Sequence, residues 1–288
     1  MEAKPLVSVI CLCFNHKKYV EEAISSVLNQ TYKNIEIIIV DDGSHDGSGT
    51  RIKQLYTGHP RIKLIFNSEN LGLCTAFNKA LKISSGHLIV NHACDDVLLP
   101  DKINQAVGDF MKLPDTYGVH FTDTKFINEN GQVFSVYSET YHKNFREVIP
   151  SGDVFKTLLE RFFIADPSMV VKRQVLDEMG GYDENLSYED FDFWVRTSRK
   201  WYYHYHPEVM VHKRDVPGSL SKIQKQLWNP HIKSTVKVIE KACALVRTKP
   251  EIIALKKRIN YELKWALVTI NLKAAYRLFR LKRTLVVD

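Results

Sequence analysis

The chain has 288 residues, 44% hydrophobic and 25% charged, which suits one large α/β domain with an appendage and is ordinary for a soluble globular protein. No apolar run approaches the roughly 18 residues of a membrane span, Met1-Glu2-Ala3-Lys4 does not begin a secretory signal, and Cys11, Cys13, Cys74, Cys94 and Cys243 show neither disulfide nor zinc spacing, so a cytoplasmic protein with small buried thiols is expected. Of the net charge of +7, +9 lies beyond residue 240, where twelve Lys/Arg meet three Asp/Glu, leaving −2 for the first 240 residues; the basic character belongs to the tail.

Leu6–Phe14 reads as a buried apolar strand, and Tyr19–Asn29 as a helix with Val20, Ala23, Ile24, Val27 and Leu28 on one face. Strand Ile35–Val40 ends in Asp41–Asp42 and a Gly/Ser-rich turn to Ser48. A helix near Gly49–Tyr56 and strand Ile62–Phe66 follow. Gly72–Ile83 is helical and Leu88–Val90 is a fourth strand, shortly before a second acidic pair, Asp95–Asp96. This βαβαβαβ order implies a doubly wound parallel sheet. Beyond Asp101 come a helix near Lys102–Leu113, strand Gly118–Phe126, the turn Asn128-Glu129-Asn130-Gly131 and a hairpin strand, Val133–Tyr137. Ser168–Lys172 reads as a strand, Gln174–Met179 and Phe191–Arg199 as helices, and Tyr202–His206 and Val209–Lys213 as extended. After Ser221 the pattern is helical, with a break at Lys249-Pro250.

Adjacent carboxylates repel and are not easily buried unless a cation or donor answers them. The carboxyl ends of strands in an open parallel sheet are where ligands bind. Two strands that each deliver an acidic pair to one edge therefore suggest a site for a metal-bound, phosphate-bearing ligand. Phe14 and Asn15 end the first strand beside Asp42, which suits a nucleobase stacked on the ring and hydrogen-bonded through an imide N–H. The competing reading makes Phe14 core and Asp42 a helix cap. At Asp95–Asp96 one carboxylate could hold Mg²⁺ or Mn²⁺ with the substrate's phosphates, or the pair could cap the helix after Pro100. Glu189-Asp190 opens an aromatic-rich helix, where a carboxylate is either a cap or a general base for an acceptor hydroxyl.

Together these segments resemble the family 2 glycosyltransferases over about residues 5–221. The landmarks are Val7-Ser8-Val9-Ile10 with Phe14-Asn15, Ser26-Val27-Leu28-Asn29-Gln30-Thr31-Tyr32, Val40-Asp41-Asp42-Gly43-Ser44, Asn70-Leu71-Gly72-Leu73 with Asn78, Asp95-Asp96-Val97-Leu98-Leu99-Pro100, and Gly180-Gly181-Tyr182-Asp183 with Glu189-Asp190. The resemblance implies an α/β, GT-A (Rossmann-like) mostly parallel sheet flanked by helices, with a C-terminal helical extension. It implies a catalytic domain over 1–221, nucleotide-sugar-binding in 1–100 and acceptor-binding in 101–221, then a basic extension over 222–288. Donor contacts would fall to Phe14, Asn15, Asp42, Asn70, Gly72, Asn78, Asp95 and Asp96. Asp95 would hold the metal and Asp190 would be the base of an inverting transfer. Three positions depart from the pattern: Ala93 stands where the first metal-motif Asp would be, Phe77 where an Arg often precedes Asn78, and Val216 where a His often precedes Pro-Gly. His212 is a substitute late metal ligand, or an exposed strand histidine without a role.

Tyr261–Arg283 reads as one amphipathic helix, with an apolar stripe of Leu263, Ala266, Leu267, Ile270, Ala274, Leu278 and Leu281 bordered by Lys264, Lys273, Arg277, Arg280, Lys282 and Arg283. It would either lie on an anionic membrane, bringing the enzyme to a lipid-linked acceptor at the inner face of the cell membrane, or pack on the catalytic domain or a second subunit, which leaves a homodimer open. No nucleic-acid-binding motif is present. The leading reading is a metal-dependent (Mn²⁺ or Mg²⁺) inverting glycosyltransferase that takes a UDP-sugar to a glycan or glycolipid hydroxyl in surface polysaccharide synthesis. The rivals are a catalytically silent nucleotide-sugar-binding scaffold and a sugar-nucleotide pyrophosphorylase; the second needs a Gly-rich phosphate loop that Cys13-Phe14-Asn15-His16-Lys17-Lys18 lacks.

Overall fold

Strand β1 (Val7–Cys13) sets the architecture, because its alternate residues face two separate cores. Val7, Val9, Cys11 and Cys13 join one apolar cluster, and Ile10 and Leu12 join the other. The computed structural model describes residues 4–216 and 226–286; Ser221 and the Pro-Gly pair after Val216 lie outside them. Helix α1 (Val20–Leu28), β2 (Ile35–Asp42), α2 (Ser48–Tyr56), β3 (Ile62–Asn67), α3 (Leu73–Ile83) and β4 (Leu88–Ala93) follow as three right-handed units. β1 pairs parallel with both β2 and β4, and β2 pairs parallel with β3. Helices α1 and α2 cover one face and α3 the other.

The second half extends the same sheet. It supplies β5 (Val97–Leu98), α4 (Lys102–Phe110), β6 (Tyr117–Ile127), β7 (Val133–Val136), α5 (Tyr137–Phe145), α6 (Phe155–Glu160), β8 (Val170–Lys172), α7 (Arg173–Met179), α8 (Asp190–Thr197) and β9 (Tyr202–Arg214). The strand order is β3-β2-β1-β4-β8-β6-β9-β5, with β7 on β6. Only β8, β5 and β7 run against the rest. The carboxyl ends of β1, β2, β4, β6 and β9 therefore share one edge. The two extended segments expected at 202–213 are one strand: Pro207 and Glu208 form a bulge, since Thr122 pairs with His206 and Asp123 with Val209. Helices α5 and α6 have no counterpart in the sequence reading; each buries a short aromatic or leucine face, at Tyr141 and at Phe155, Leu158 and Leu159.

The extension consists of α9 (Ile232–Leu245), α10 (Lys249–Val268) and α11 (Leu272–Thr284). Thr248 and Glu251 form a reciprocal capping box at the start of α10, with Pro250 in its first turn, which accounts for the expected break. The single helix expected over 261–283 is instead two. Thr269 to Asn271 make a turn in which Ile270 takes φ 59°, and Asn271 N–H donates to the Ala266 carbonyl at 2.7 Å. The stripe divides at this turn: Ala266, Ala274 and Leu278 are buried, whereas Leu267 and Ile270 are exposed. The buried side joins Phe155, Leu159, Phe191 and Val195 in a third apolar cluster, so the extension shares a core with α6 and α8. Among the described residues, no helix is long and apolar enough to cross a membrane.

Candidate active site

The shared carboxyl edge opens into a cleft of about 1340 Å³. Phe14 lies on its wall and is 38% exposed, as a ring awaiting a partner would be. The loops after β1 and β2 are locked together: Asn15 N–H donates to Ser44 Oγ, and His45 N–H to Asn15 Oδ1, both at 2.9 Å. Asp42 accepts from Asn67 Nδ2 (2.7 Å), Leu71 N–H (3.1 Å) and Gly72 N–H (3.0 Å), which leaves little of its acceptor capacity for a ligand. Gly43 is required here, since a Cβ would lie 2.4 Å from the Glu69 backbone. Asn70 Oδ1 also accepts from Gly72 N–H, and both residues line the cleft.

The second acidic pair divides its work. Asp96 is buried and accepts the Arg214 N–H at 2.7 Å; burial, then the Asp95 charge, push its carboxyl well above the usual range. Arg214 also donates to the Asp95 carbonyl at 2.9 Å and to Glu22 at 2.7 Å, which fixes the end of β9 against the loop. The Asp95 carboxylate receives no hydrogen bond from a described residue; its neighbour is His16 Nδ1 at 3.7 Å, a buried atom without a hydrogen-bond partner. An acceptor-only carboxylate and an unpartnered imidazole nitrogen facing one cleft are a donor set that a hard divalent cation fits. Ala93 contributes no ligand beside them.

Asp190 opens α8, and its Oδ1 accepts from Phe191 N–H at 2.6 Å. Asp166 and Glu189 line the cleft with it. Burial, with Asp190 next, raises Asp166 to about 6, and burial with the same neighbours raises Glu189. Burial also raises Asp190, opposed by the Phe191 hydrogen bond and by Lys213 and Arg258. A carboxylate of raised pKa that lines a cleft can accept a proton from a hydroxyl bound there.

Two expected site residues, the donor contact Asn78 and the metal ligand His212, stand elsewhere. Asn78 does not line the cleft: Nδ2 donates to the Tyr182 carbonyl (2.8 Å) and Glu184 (2.9 Å), and Oδ1 accepts Tyr182 N–H (2.9 Å). It is a strut between α3 and the Gly180-Gly181 loop, where a Cβ on Gly181 would meet Asn78 Oδ1 at 2.6 Å. Phe77, in place of the cation, stacks on Tyr182 with ring centroids 4.2 Å apart. His212 pairs in register with Val97 and is not among the residues that line the cleft.

Sequence reading missed Asp166, Lys213, Arg214 and a wall supplied by α10. Arg258, Tyr261, Glu262, Trp265 and Thr269 line the cleft, and their three- and four-residue spacing on one helix face was the available signal. The Arg258 guanidinium lies 3.7 Å above the Phe162 ring and pairs with Glu262 at 3.3 Å.

Residues 8–180 match the model of glycosyl transferase family 2. An uncharacterized glycosyltransferase of Methanocaldococcus jannaschii is 32% identical over 229 residues, covering 77% of this chain and 76% of that protein. Some relatives are much longer, the chain spanning 34% of one from Rickettsia felis that is 32% identical over 213 residues. A mannosyltransferase from Pyrobaculum calidifontis in complex with GDP-Man and Mn²⁺ has the same fold, with TM-score 0.64 and 17% identity over 99% of this chain and 83% of that one. S. aureus TarS residues 1–349 in complex with UDP-GlcNAc gives TM-score 0.61 and 16% identity over 97% and 90%. The chain is thus a GT-A-fold enzyme and belongs to glycosyl transferase family 2.

Proposed function

We propose that the protein is an inverting transferase that moves a sugar from a UDP-type donor to a hydroxyl of a glycan or lipid-linked glycan in surface polysaccharide synthesis. The observation that carries this reading is Asp190: a carboxylate of raised pKa in the same cleft as Phe14, Asp42 and Asp95. Phe14 stacks on the base and Asp42 offers its remaining lone pair to the imide N–H. Asp95, with His16 beside it, would hold Mn²⁺ or Mg²⁺, which when bound neutralises charge on the leaving diphosphate. Asp190 takes the acceptor proton as the hydroxyl oxygen bonds to the anomeric carbon, and the bond to the diphosphate oxygen breaks on the opposite face. Asp96 and Arg214 hold the loop. His212 does not line the cleft and is left out of the proposed metal shell.

The test is calorimetric titration of UDP with and without Mn²⁺, paired with product formation from a nucleotide-sugar panel. Asp190→Asn is expected to lose about 10²–10⁴ in turnover with UDP affinity retained. Asp95→Ala is expected to abolish the Mn²⁺-dependent part of UDP binding. An Asp190→Asn enzyme with most of its turnover would exclude this residue as the base, and undiminished metal dependence in Asp95→Ala would exclude that ligand.

A further inference from the structure

We propose that Asp109, His120, His204 and His206 form a metal centre of the structural zinc type, separate from the transfer cleft. None of the four lines the cleft, and each offers one ligand atom, all within 4.8 Å of one another. The sheet builds the set. His204 and His206 are two residues apart on β9, so their side chains share a face, and the parallel register places His120 of β6 beside His204. Asp109, in the last turn of α4, points down onto that face.

The distances suit a cation better than a hydrogen-bond cluster. From Asp109 Oδ2, His120 Nε2 lies at 2.9 Å, His206 Nδ1 at 3.2 Å and His204 Nε2 at 3.7 Å. Ligands about 2.0–2.1 Å from a tetrahedral zinc stand about 3.3 Å apart, in the middle of that range. A single carboxylate oxygen has two lone pairs and cannot serve three ring nitrogens at once. One divalent ion among them would satisfy all four donors. Outer groups of the expected kind are present: Gln105 Nε2 donates to the other Asp109 oxygen at 3.1 Å, and Glu208 lies 3.9 Å from His206 Nε2. Four protein ligands close the shell, as in structural rather than catalytic zinc sites.

The placement gives the centre a task. Only the two-residue strand β5 and a short turn separate α4 from the Asp95–Asp96 loop, and β9 ends in Lys213 and Arg214 at the cleft. A metal joining α4 to β6 and β9 therefore pins two cleft-bearing elements to one another without touching substrate.

The experiment uses the full chain with any affinity tag removed, stripped with chelator, reloaded with Zn²⁺ or Co²⁺ and desalted. One zinc per chain by elemental analysis is expected, and the Co²⁺ form should show the intense visible bands of a tetrahedral site. A His204→Asn/His206→Asn chain is expected to lose both signals and the Zn²⁺-dependent rise in melting temperature, whereas Asp95→Ala keeps all three. Because the readout is metal retention by the wild-type chain, a variant that fails to fold does not decide the matter. Wild-type protein that retains no zinc and shows no tetrahedral Co²⁺ bands would overturn the proposal, as would signals that vanish in Asp95→Ala.

Discussion

Replacing Asn78 with alanine separates two roles for this residue. A donor contact would leave stability intact and raise KM for the nucleotide sugar; a strut would cost stability and leave donor affinity nearly unchanged. The Asn78 amide satisfies both the N–H and the carbonyl of Tyr182, a residue only 4% exposed. Alanine leaves both groups buried and unpaired, at about 1–3 kcal/mol each. The third bond, to Glu184 at 2.9 Å, goes to an exposed side chain and adds little. A loss of about 3 kcal/mol is therefore expected, which in a chain of this size lowers the melting temperature by roughly 6–12 °C. Thermal and urea unfolding, followed by calorimetry with UDP, would measure both quantities. A variant that melts within about 2 °C of wild type but binds donor ten-fold more weakly refutes the strut and restores Asn78 as a donor contact.

Lys213→Met removes the cation that opposes the raised pKa of Asp166, Asp190 and Asp96. Their pKa values then climb further, so the acid limb of the kcat/KM–pH profile is expected to move up by about one unit; an unmoved limb rejects Asp190 as the titrating base. Lys241→Met frees Asp183 (2.7 Å) and the buried Asp192 (2.6 Å), with Arg196 still on Asp192, and is expected to cost about 2 kcal/mol near neutral pH. Burial opposes the Asp183 charge, but Lys241 and Asn185 hold its carboxyl at about 2, below its ordinary 3.8; that stabilisation is present above about pH 4 and lost toward pH 2, so the gap between wild type and variant should narrow across that window. If the exposed Leu267 and Leu272 meet lipid beside the basic residues of α11, Leu267→Asp/Leu272→Asp is expected to release the enzyme from anionic vesicles; equal sedimentation of both proteins rejects the contact.

The first half of the fold was legible because its signals are local. β1, β2 and β4 are mostly apolar runs, with Asn15, Asp41–Asp42 and Asp95–Asp96 at or just beyond their ends, and α1 and α3 carry one-faced apolar periods. The positions of Phe14, Asp42, Asp95 and Asp190 along the chain follow from those strand and helix ends. What was not legible depends on pairing across long separations. Asp166 sits in a short turn held by the buried Lys102, whose Nζ donates to the Ser168 carbonyl at 2.6 Å, and nothing local marks it. The Asn78 strut needs a loop 104 residues away. The break at Thr269 to Asn271 lies in a sequence whose apolar period continues through it; the turn becomes visible only once Ala266, Ala274 and Leu278 must reach the same core.

That turn also alters what the basic tail means. A straight amphipathic helix would have been a peripheral element, separable from the chemistry. Folded back on itself, α10 instead turns its Arg258, Tyr261, Glu262, Trp265 and Thr269 face into the cleft, while Ala254, Leu255 and Ile259 join the core under Phe191. Phe191 directly follows Asp190 and lies beneath the Arg258 guanidinium at 4.9 Å. The extension thus packs against Phe191, next to Asp190, and lines the same cleft as Phe14, Asp42 and Asp95. Burial raises Asp190, since removing water from a carboxylate disfavours its charge. The cations that restrain the shift come from both halves, Lys213 from the strand end and Arg258 from the extension. The shift of Asp190 is therefore set jointly by the sheet edge and the tail, and a chain cut before α9 would lose the contribution of Arg258 to it.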